Sequence, residues 1–119
     1  MSPAATPMPA TTLELWQTEW CPASHHVRQR LTELGLAYIT RQVPVEPDHR
    51  TELTSATGQR SIPVLVADGQ VIAGEEPILT YLNTHFAEPA EAAHQRAKAA
   101  KAKRKELEQA CLELAPPTR

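Results

Sequence analysis

Cysteine is scarce in this chain, since its 119 residues contain only Cys21 and Cys111. Two cysteines are too few for a disulfide scaffold, and nothing supports a structural bridge between residues so far apart in sequence. Long apolar runs are also missing. No window approaches about 18 uninterrupted apolar residues, so the sequence predicts no transmembrane helix. A formal net charge of −2 favours neither nucleic acid nor a membrane surface as a partner.

The ends of the chain differ in composition from its middle. Residues 1–12 are rich in Pro, Ala and Thr, which predicts a disordered N-terminal tail. Residues 115–119 are expected to fray. The tail has neither a basic start nor a continuous apolar stretch, so it does not resemble a signal peptide. We therefore expect a cytoplasmic protein, in whose reducing surroundings a cysteine stays a free thiol.

The middle of the chain, residues 13–87, alternates between strand and helix patterns and has the length of one domain. Pro22 suits the first position of a helix, and Gly35 suits its C-terminal end. Asp68 and Gly69 predict a tight hairpin turn. The predicted strands are residues 13–17, 36–43, 62–67 and 70–73, and the further predicted helices are residues 47–56 and 76–86. This β-α-β-α-β-β-α order predicts a compact two-layer α/β domain.

Residues 88–115 predict a charged C-terminal helix, because Ala, Lys and Glu are strong helix formers. A weak heptad-like stripe, spaced alternately by four and three residues, runs along positions 93, 97, 100, 104, 107, 111 and 114. The sequence favours a solvated helix that packs its Leu107, Cys111 and Leu114 face on the domain or on a second copy, which would give a homodimer. The alternative is a helix that binds nucleic acid or an anionic membrane. Three interspersed glutamates argue against that alternative.

Cys21 lies in the stretch WCPAS, where a predicted strand turns into a predicted helix. A thiol in the first turn of a helix faces unpaired backbone N–H groups and the positive end of the helix dipole, and both favour the thiolate. The thiolate is the nucleophile in disulfide exchange and in attack on electrophilic carbon. Sheets of α/β proteins place their sites at such junctions, so Cys21 is a candidate nucleophile. The alternative is a small buried hydrophobe without reactivity.

Ser24 stands three residues after Cys21, where a dithiol protein carries its second cysteine. A Cys-x-x-Ser pair cannot close an internal disulfide, so another thiol has to resolve a mixed disulfide at Cys21. Cys111 would do so only if the last helix folded back over the site. His25 is a candidate for steadying the thiolate. The alternative is that His25 and His26 are both solvated, and no further cysteine completes a zinc site.

Three segments together resemble the thioredoxin superfamily, in particular glutaredoxins and the N-terminal thiol-binding domain of glutathione transferases. They are WCPAS at residues 20–24, TGQRSIPVL at residues 57–65 and VIAGEEPILTYL at residues 71–82. The resemblance spans about residues 13–87 and leaves out the N-terminal tail and the charged helix. It implies a thioredoxin-like domain that carries an extra C-terminal helix.

The resemblance also implies a site for glutathione. Pro63 matches the proline that follows a cis peptide bond in these families, although an edge-strand proline in trans is the alternative. Ile62 would then present its backbone N–H and C=O to the cysteinyl part of glutathione. Gln59 and Arg60 match loop positions that approach the glycine carboxylate, where a cation suits the charge, and a solvated loop arginine is the alternative.

The remaining matched positions lie beside the cysteine and at the start of the last domain helix. Trp20 and Pro22 flank the thiol position. Glu75 and Glu76 match the helix start that holds the γ-glutamyl group in these families, where an acidic residue can pair with the ammonium and helix N–H groups can take the carboxylate.

The sequence departs from the family pattern at three points. Glu75 stands where transferases commonly have serine, and a second carboxylate there repels the carboxylate of the ligand. Thr18 stands where many glutaredoxins have lysine. Both changes make the site less positive, which allows a different low-molecular-weight thiol in place of glutathione. Transferases also continue into a large helical domain, whereas about one helix follows residue 87 here, which argues against a transferase that acts alone.

The leading hypothesis is a monothiol glutaredoxin-like thiol–disulfide oxidoreductase that uses glutathione or a related thiol and acts on a glutathionylated protein or small disulfide. Cys21 and Ser24 are its candidate catalytic residues, and no metal is expected. The first alternative is a non-catalytic thioredoxin-fold module for binding or dimerisation. An iron–sulfur carrier is a further alternative, but such carriers typically have glycine where this chain has Pro22.

Overall fold

The computed structural model describes residues 11–114, which form a mixed four-stranded sheet with four α-helices. The strand order is β2-β1-β3-β4; β2 runs parallel to β1, and β3 and β4 are antiparallel to their neighbours. A short 3₁₀ helix precedes α2. In chain order the elements are β1 (Leu13–Gln17), α1 (Pro22–Glu33), β2 (Ile39–Gln42), the 3₁₀ helix (Pro47–His49), α2 (Thr51–Thr57), β3 (Val64–Ala67), β4 (Gln70–Ala73), α3 (Glu75–His85) and α4 (Ala92–Leu114).

The thioredoxin-like order β-α-β-α-β-β-α with an extra C-terminal helix is confirmed. Residues 1–10 and 115–119, for which the sequence predicts a disordered tail and a frayed end, lie outside the described residues. None of the helices in residues 11–114 combines the length and the apolar character needed to cross a bilayer.

Helices α1 and α3 cover one face of the sheet. Leu15 and Leu65 pair across β1 and β3 and are fully buried, and such burial stabilises the fold by about 1.5–3 kcal/mol per leucine. Helix α2 covers the other face, where Leu53 packs with Trp16 and Val64. The buried side chains of the main core are Leu13, Leu15, Val27, Leu31, Leu34, Leu65, Ala67, Ile72, Ile78 and Leu82.

The strand β2 is shorter than the predicted residues 36–43 because the chain first closes helix α1. Gly35 adopts a φ of 68° and donates its N–H to the carbonyl of Thr32 at 3.0 Å. The N–H of Leu36 reaches back to the carbonyl of Leu31, also at 3.0 Å. These two bonds form a Schellman motif, so Leu36 belongs to the helix end rather than to the strand.

The predicted helix at residues 47–56 is divided at Arg50 into the 3₁₀ helix and α2. Arg50 is a buried cation with an exposed fraction of only 6%. Its guanidinium donates three hydrogen bonds of 2.7–2.9 Å to the backbone carbonyls of Pro44, Val45 and Arg60. This single side chain therefore satisfies carbonyls on both sides of α2 and holds the long connection from β2 to β3.

The predicted hairpin turn at Asp68 and Gly69 is confirmed. Both residues have positive φ values, 48° and 85°, as the two central positions of a type I′ turn require. Asp68 also anchors the chain before β1, because its carboxylate accepts the N–H of Thr12 at 2.8 Å. Strand β3 begins at Val64, later than predicted, since Pro63 has no N–H to give to a ladder.

Helix α4 is attached to the domain through its N-terminal part. Ala92 is fully buried, and Arg96 donates hydrogen bonds to Glu33 of α1 at 3.2 Å and to Glu88 at 2.9 and 3.1 Å. Arg30 of α1 bonds to the same two carboxylates, each at 2.8 Å. We call Arg30, Glu33, Glu88 and Arg96 the ionic cluster.

The predicted packing of the Leu107 and Cys111 face on the domain is wrong. Leu107 is 57% exposed and Cys111 is exposed, whereas the side chain of Leu114 lies outside the described part of the helix. The physical reason is a difference in phase. The docked residues Ala92 and Arg96 each precede a stripe position by one residue, which turns the stripe about 100° away from the domain.

The ionic cluster changes the proton affinity of its two carboxyls. Hydrogen bonds from Arg96 and Arg30 lower the pKa of Glu88 from 4.5 to about 2. Burial alone would raise the pKa of Glu33, but hydrogen bonds from Gln29, Arg30 and Arg96 outweigh burial and lower it. Both carboxyls bind protons less readily in the folded state than in the unfolded state. Their contribution to the stability of the fold is therefore present above pH 4.5 and is lost as the pH falls.

We expect the N-terminal part of α4 to detach from α1 as the pH falls from 4.5 towards 2, because protonation of Glu88 and Glu33 removes the partners of Arg96. Amide hydrogen exchange of residues 92–99, corrected for its intrinsic pH dependence, measures the change. Glu88→Gln should weaken protection already at neutral pH, whereas the control Glu91→Gln should not. Protection that stays constant down to the lowest pH would contradict this account of α4.

Candidate functional site

Cys21 is the N-cap residue of α1, and its side chain is partly exposed. Its backbone is extended, and its Sγ accepts a hydrogen bond from the backbone N–H of Ser24 at 3.4 Å. Its carbonyl accepts the N–H of His25 at 3.0 Å, which is the first bond of the helix. Pro22 follows at the first helical position. The sulfur therefore takes one of the donors that a helix start leaves unpaired.

Ser24 contacts the sulfur through its backbone. Its side chain is fully buried, and its Oγ has no hydrogen-bond partner among the described residues. The position at which a dithiol protein has its second cysteine thus holds an enclosed hydroxyl. The contact between Ser24 and Cys21 is the N–H···Sγ bond.

Arg28 fixes the turn that leads into Cys21, and the sequence reasoning missed it. Its guanidinium donates hydrogen bonds to Oε1 of Gln17 and, at 3.2 Å, to the carbonyl of Thr18. It also lies 3.2 Å from the carboxylate of Glu19. Arg28 follows Cys21 by seven residues, close to two helical turns, so the helical period was a signal that would have placed both on one face.

The cis-prolyl segment lies at the same edge of the sheet as Cys21. The Ile62–Pro63 peptide bond is cis. Trp16 of β1 pairs with Val64 of β3, so Pro63 precedes β3 at the edge where β1 leads towards Cys21. Pro63 is buried and Ile62 is partly buried.

The N-terminus of α3 joins this edge. The N–H of Gly74 donates to the carbonyl of Pro63 at 3.0 Å, and α3 begins at the next residue, Glu75. The carboxylate of Glu75 pairs with Nδ1 of His26 on α1 at 2.7 Å. Local sequence patterns give no signal for this pair, because 49 positions separate its members. The structure therefore joins α1, α3 and the cis-prolyl segment around the thiol.

His25 and His26 have different surroundings. The side chain of His26 is 57% exposed and is held by Glu75. His25 is exposed, and its ring lies 6.0 Å from the ring of His26. Within residues 11–114, His, Cys, Asp and Glu side chains form no group of three that would hold a metal ion.

The other predicted site residues lie further from these contacts. Trp20 is 59% exposed. The side chain of Arg60 pairs with Asp48 at 3.3 Å, and the carbonyl of Gln59 accepts the hydroxyl of Thr54, so both residues are tied to the α2 region. Glu76 is exposed on α3. The structure thus brings Cys21, Ser24, Ile62, Pro63 and Glu75 to one end of the sheet, whereas the contacts of Gln59 and Arg60 lie with the α2 region.

Two surface cavities of similar volume lie among the described residues. One cavity, of about 520 Å³, is lined by Trp16 and Arg41 beside α2. The other, of about 530 Å³, is lined by Pro77 and Tyr81 beside β4. Cys21 lines neither of these two cavities. Chemically, the arrangement offers one accessible sulfur with an amide donor, which suits attack on a disulfide or an electrophile.

Comparisons with known proteins agree with the fold. The family model described as Glutaredoxin matches residues 13–72. Among solved structures, the rice transferase GST1 in complex with glutathione is 27% identical, with a TM-score of 0.58 over 74% of this chain and 44% of its own. Glutathione transferase E6 from Drosophila melanogaster is 25% identical, with a TM-score of 0.59 over 66% of this chain and 36% of its own.

A third similar structure is a diazinon-metabolizing glutathione transferase from the silkworm Bombyx mori, 25% identical, with a TM-score of 0.57 over 63% of this chain and 38% of its own. The chain thus spans less than half the length of these transferases. Among curated proteins, none matches the chain. The family match covers half of the sequence, including the strand that leads to Cys21, the helix that Cys21 caps and the cis-prolyl segment. The chain therefore belongs to the glutaredoxin family.

Proposed function

We propose that this protein is a monothiol thiol–disulfide oxidoreductase that uses glutathione or a related low-molecular-weight thiol. The observation that carries the proposal is the accessible Sγ of Cys21, which accepts the Ser24 N–H at 3.4 Å at the start of α1. Its place at the sheet edge that also holds the cis Ile62–Pro63 bond adds support. Membership of the glutaredoxin family and similarity to a transferase solved with glutathione support the choice of thiol.

The reaction needs one protein thiol and two molecules of the small thiol. The Cys21 thiolate attacks the glutathione sulfur of a mixed disulfide, the old S–S bond breaks, and the substrate sulfur leaves as a thiolate that takes up a proton. Cys21 now carries glutathione. A second glutathione thiolate attacks that glutathione sulfur, releases oxidised glutathione and regenerates Cys21. The second thiol supplies the electrons, since Ser24 cannot form the internal disulfide.

The surroundings of Cys21 favour a disulfide carried on a larger molecule. Cys21 is partly exposed, follows the exposed Trp20 and lines neither of the two cavities described above. Ile62 and Pro63 lie at the same edge, where the backbone of Ile62 can pair with the cysteinyl part of the small thiol as an added strand does. A glutathionylated protein side chain fits this geometry, because its bulk stays in solvent while its sulfur reaches Cys21.

The charges at the start of α3 bear on which thiol is used. Helix N-terminal N–H groups attract the carboxylate of a γ-glutamyl group, but the side chain of Glu75 adds a negative charge at the same place. His26 offsets that charge when it is protonated, because its Nδ1 lies 2.7 Å from the carboxylate. We therefore expect the chain to use glutathione less efficiently than a relative with serine at the position of Glu75 does. We also expect it to use a thiol with less negative charge more efficiently than glutathione.

Experiments can distinguish this proposal from two other functions. Similarity to glutathione transferases favours transfer of glutathione to an electrophilic carbon as the second candidate. Turnover of an electrophile such as a chloronitrobenzene, without turnover of mixed disulfides, would establish the transferase. A protein that turns over neither substrate and does not bind glutathione in calorimetry would be a non-catalytic binding module.

We expect Cys21→Ser to lower the glutathione-dependent reduction of a glutathionylated peptide by about a hundredfold or more, since it removes the nucleophile. A coupled assay that follows oxidised glutathione measures the rate. The matched control is Cys111→Ser, which removes the other thiol and should keep the full rate because the proposed reaction uses Cys21 alone; Cys111 is exposed on α4. Equal rates for Cys21→Ser and the unaltered protein would overturn the proposal.

We expect Glu75→Ser to lower the KM for the glutathionylated peptide several-fold with little change in kcat, because it removes a carboxylate from the expected γ-glutamyl position. His26→Ala should act in the opposite direction, since it removes the ring that hydrogen-bonds to the Glu75 carboxylate. Steady-state kinetics of both variants, with the exposed residue change Glu91→Ser as control, test this account. A KM unchanged in both variants would show that the start of α3 does not contact the small thiol.

A further inference from the structure

The C-terminal part of α4 is a free helix surface. From residue 100 to residue 113, every side chain except the partly exposed Ala110 is exposed, including Leu107 at 57% and Leu112 at 71%. The helix docks on the domain only through residues 92–99, and the docked face is turned about 100° from the stripe that contains Leu107 and Cys111. Docking therefore leaves this stripe accessible along about 20 Å of helix.

Charge is divided unequally along this surface. Residues 100–105 contain four Lys or Arg and no acidic residue, whereas residues 106–113 contain three glutamates and no basic residue. A helix segment with one basic and one acidic half is complementary to a second copy of itself that runs in the opposite direction. A parallel copy would instead place four cations beside four cations.

We propose that α4 pairs with α4 of a second copy of this chain as an antiparallel coiled coil. This pairing does not depend on the proposed enzymatic activity. The stripe fixes the register. By their spacing, Ala100 and Leu107 are d positions, and Arg104 and Cys111 are a positions. In antiparallel coiled coils an a position faces a d position of the other helix, so Ala100 faces the partner's Cys111 and Arg104 faces the partner's Leu107. The twofold axis repeats both layers, so the contact has four layers. The aliphatic stem of Arg104 covers the partner's Leu107, while its guanidinium stays in solvent.

The flanking positions support this register. Lys101 and Glu108 each follow a d position of the stripe by one residue, so they are the e positions. In the antiparallel arrangement Lys101 faces the partner's Glu108, and Glu108 faces the partner's Lys101, which gives two opposite-charge contacts. In a parallel arrangement Arg104 would face the partner's Arg104 at the centre of the contact. The observed charges therefore favour the antiparallel pair on both the stripe and its flank.

The first test locates the contact by disulfide formation. In a full-length Cys21→Ser background, Ala100→Cys should give a covalent dimer under mild oxidation with copper phenanthroline, through a bond between position 100 and the partner's Cys111. Ala102→Cys, the same change on the outer side of the helix, should give at least about tenfold less dimer. Cys111 in the background protein should stay unlinked, because the two copies of Cys111 are about 16 Å apart along the pair.

Each outcome of this test decides the proposal. Peptide mapping of a 100-to-111 linkage supports it. Equal yields for Ala100→Cys and Ala102→Cys would show random collision, and a linkage between two copies of Cys111 would show a parallel pair; either result overturns the antiparallel contact. A protein that sediments as a monomer at millimolar concentration overturns it as well.

The second test exchanges the flanking charges. Lys101→Glu and Glu108→Lys should each weaken dimerisation by roughly tenfold, because each turns two attractions into repulsions. The double variant should restore the original dissociation constant, because it recreates both opposite-charge contacts with their signs exchanged. Sedimentation equilibrium at low salt measures the three constants. Single variants without effect, or a double variant that is weaker than both single variants, would contradict the proposed register.

Discussion

The hydrogen bond from the Ser24 N–H to the Sγ of Cys21 is the contact on which the proposed chemistry of this protein depends. It uses a donor that the start of a helix leaves unpaired, so helix formation itself delivers the amide to the sulfur. The sulfur in turn caps the helix as a hydroxyl or carboxylate oxygen does elsewhere. A residue without a side-chain acceptor would lose both functions together. The same bond explains why the buried hydroxyl of Ser24 is not needed at the sulfur, since the backbone makes the contact.

The elements around the sulfur are held by contacts that do not involve it. Arg28 bonds to the turn before Cys21, and the Glu75–His26 pair joins α3 to α1. Arg28 also faces the carboxylate of Glu19, at 3.2 Å. The guanidinium of Arg28 is therefore already paired with a carboxylate. Binding of an anionic thiol has to rely on backbone N–H groups and on the cis-prolyl edge more than on a free cation, which makes the identity of the thiol depend on small charge differences.

Much of this architecture could be predicted from local sequence. The hairpin at Asp68 and Gly69 and the start of α1 at Pro22 follow from backbone preferences of single residues, and the structure has both. Three-dimensional contacts were out of reach. Arg50 divides a predicted helix by binding carbonyls that lie five to ten residues away, and the direction in which α4 docks depends on the ionic cluster, whose members come from three segments of the chain. Periodicity identifies a stripe on a helix, but it does not say which neighbour covers it.

The helix α4 shows how one element serves two surfaces without conflict. Its docked face uses charged hydrogen bonds from Arg96, whose strength depends on the ionisation of two carboxyls. Its free face carries small and aliphatic side chains together with the charged Lys101, Arg104 and Glu108. The two faces are offset by one residue, which is about 100° around the helix axis. A second copy can therefore approach along residues 100–111 while residues 92–96 remain on α1. The proposed pairing uses residues 100–111 of α4, whereas the proposed thiol exchange uses the sulfur at the start of α1. The two proposals therefore rest on separate residues, and each can be tested by variants that leave the residues of the other unchanged.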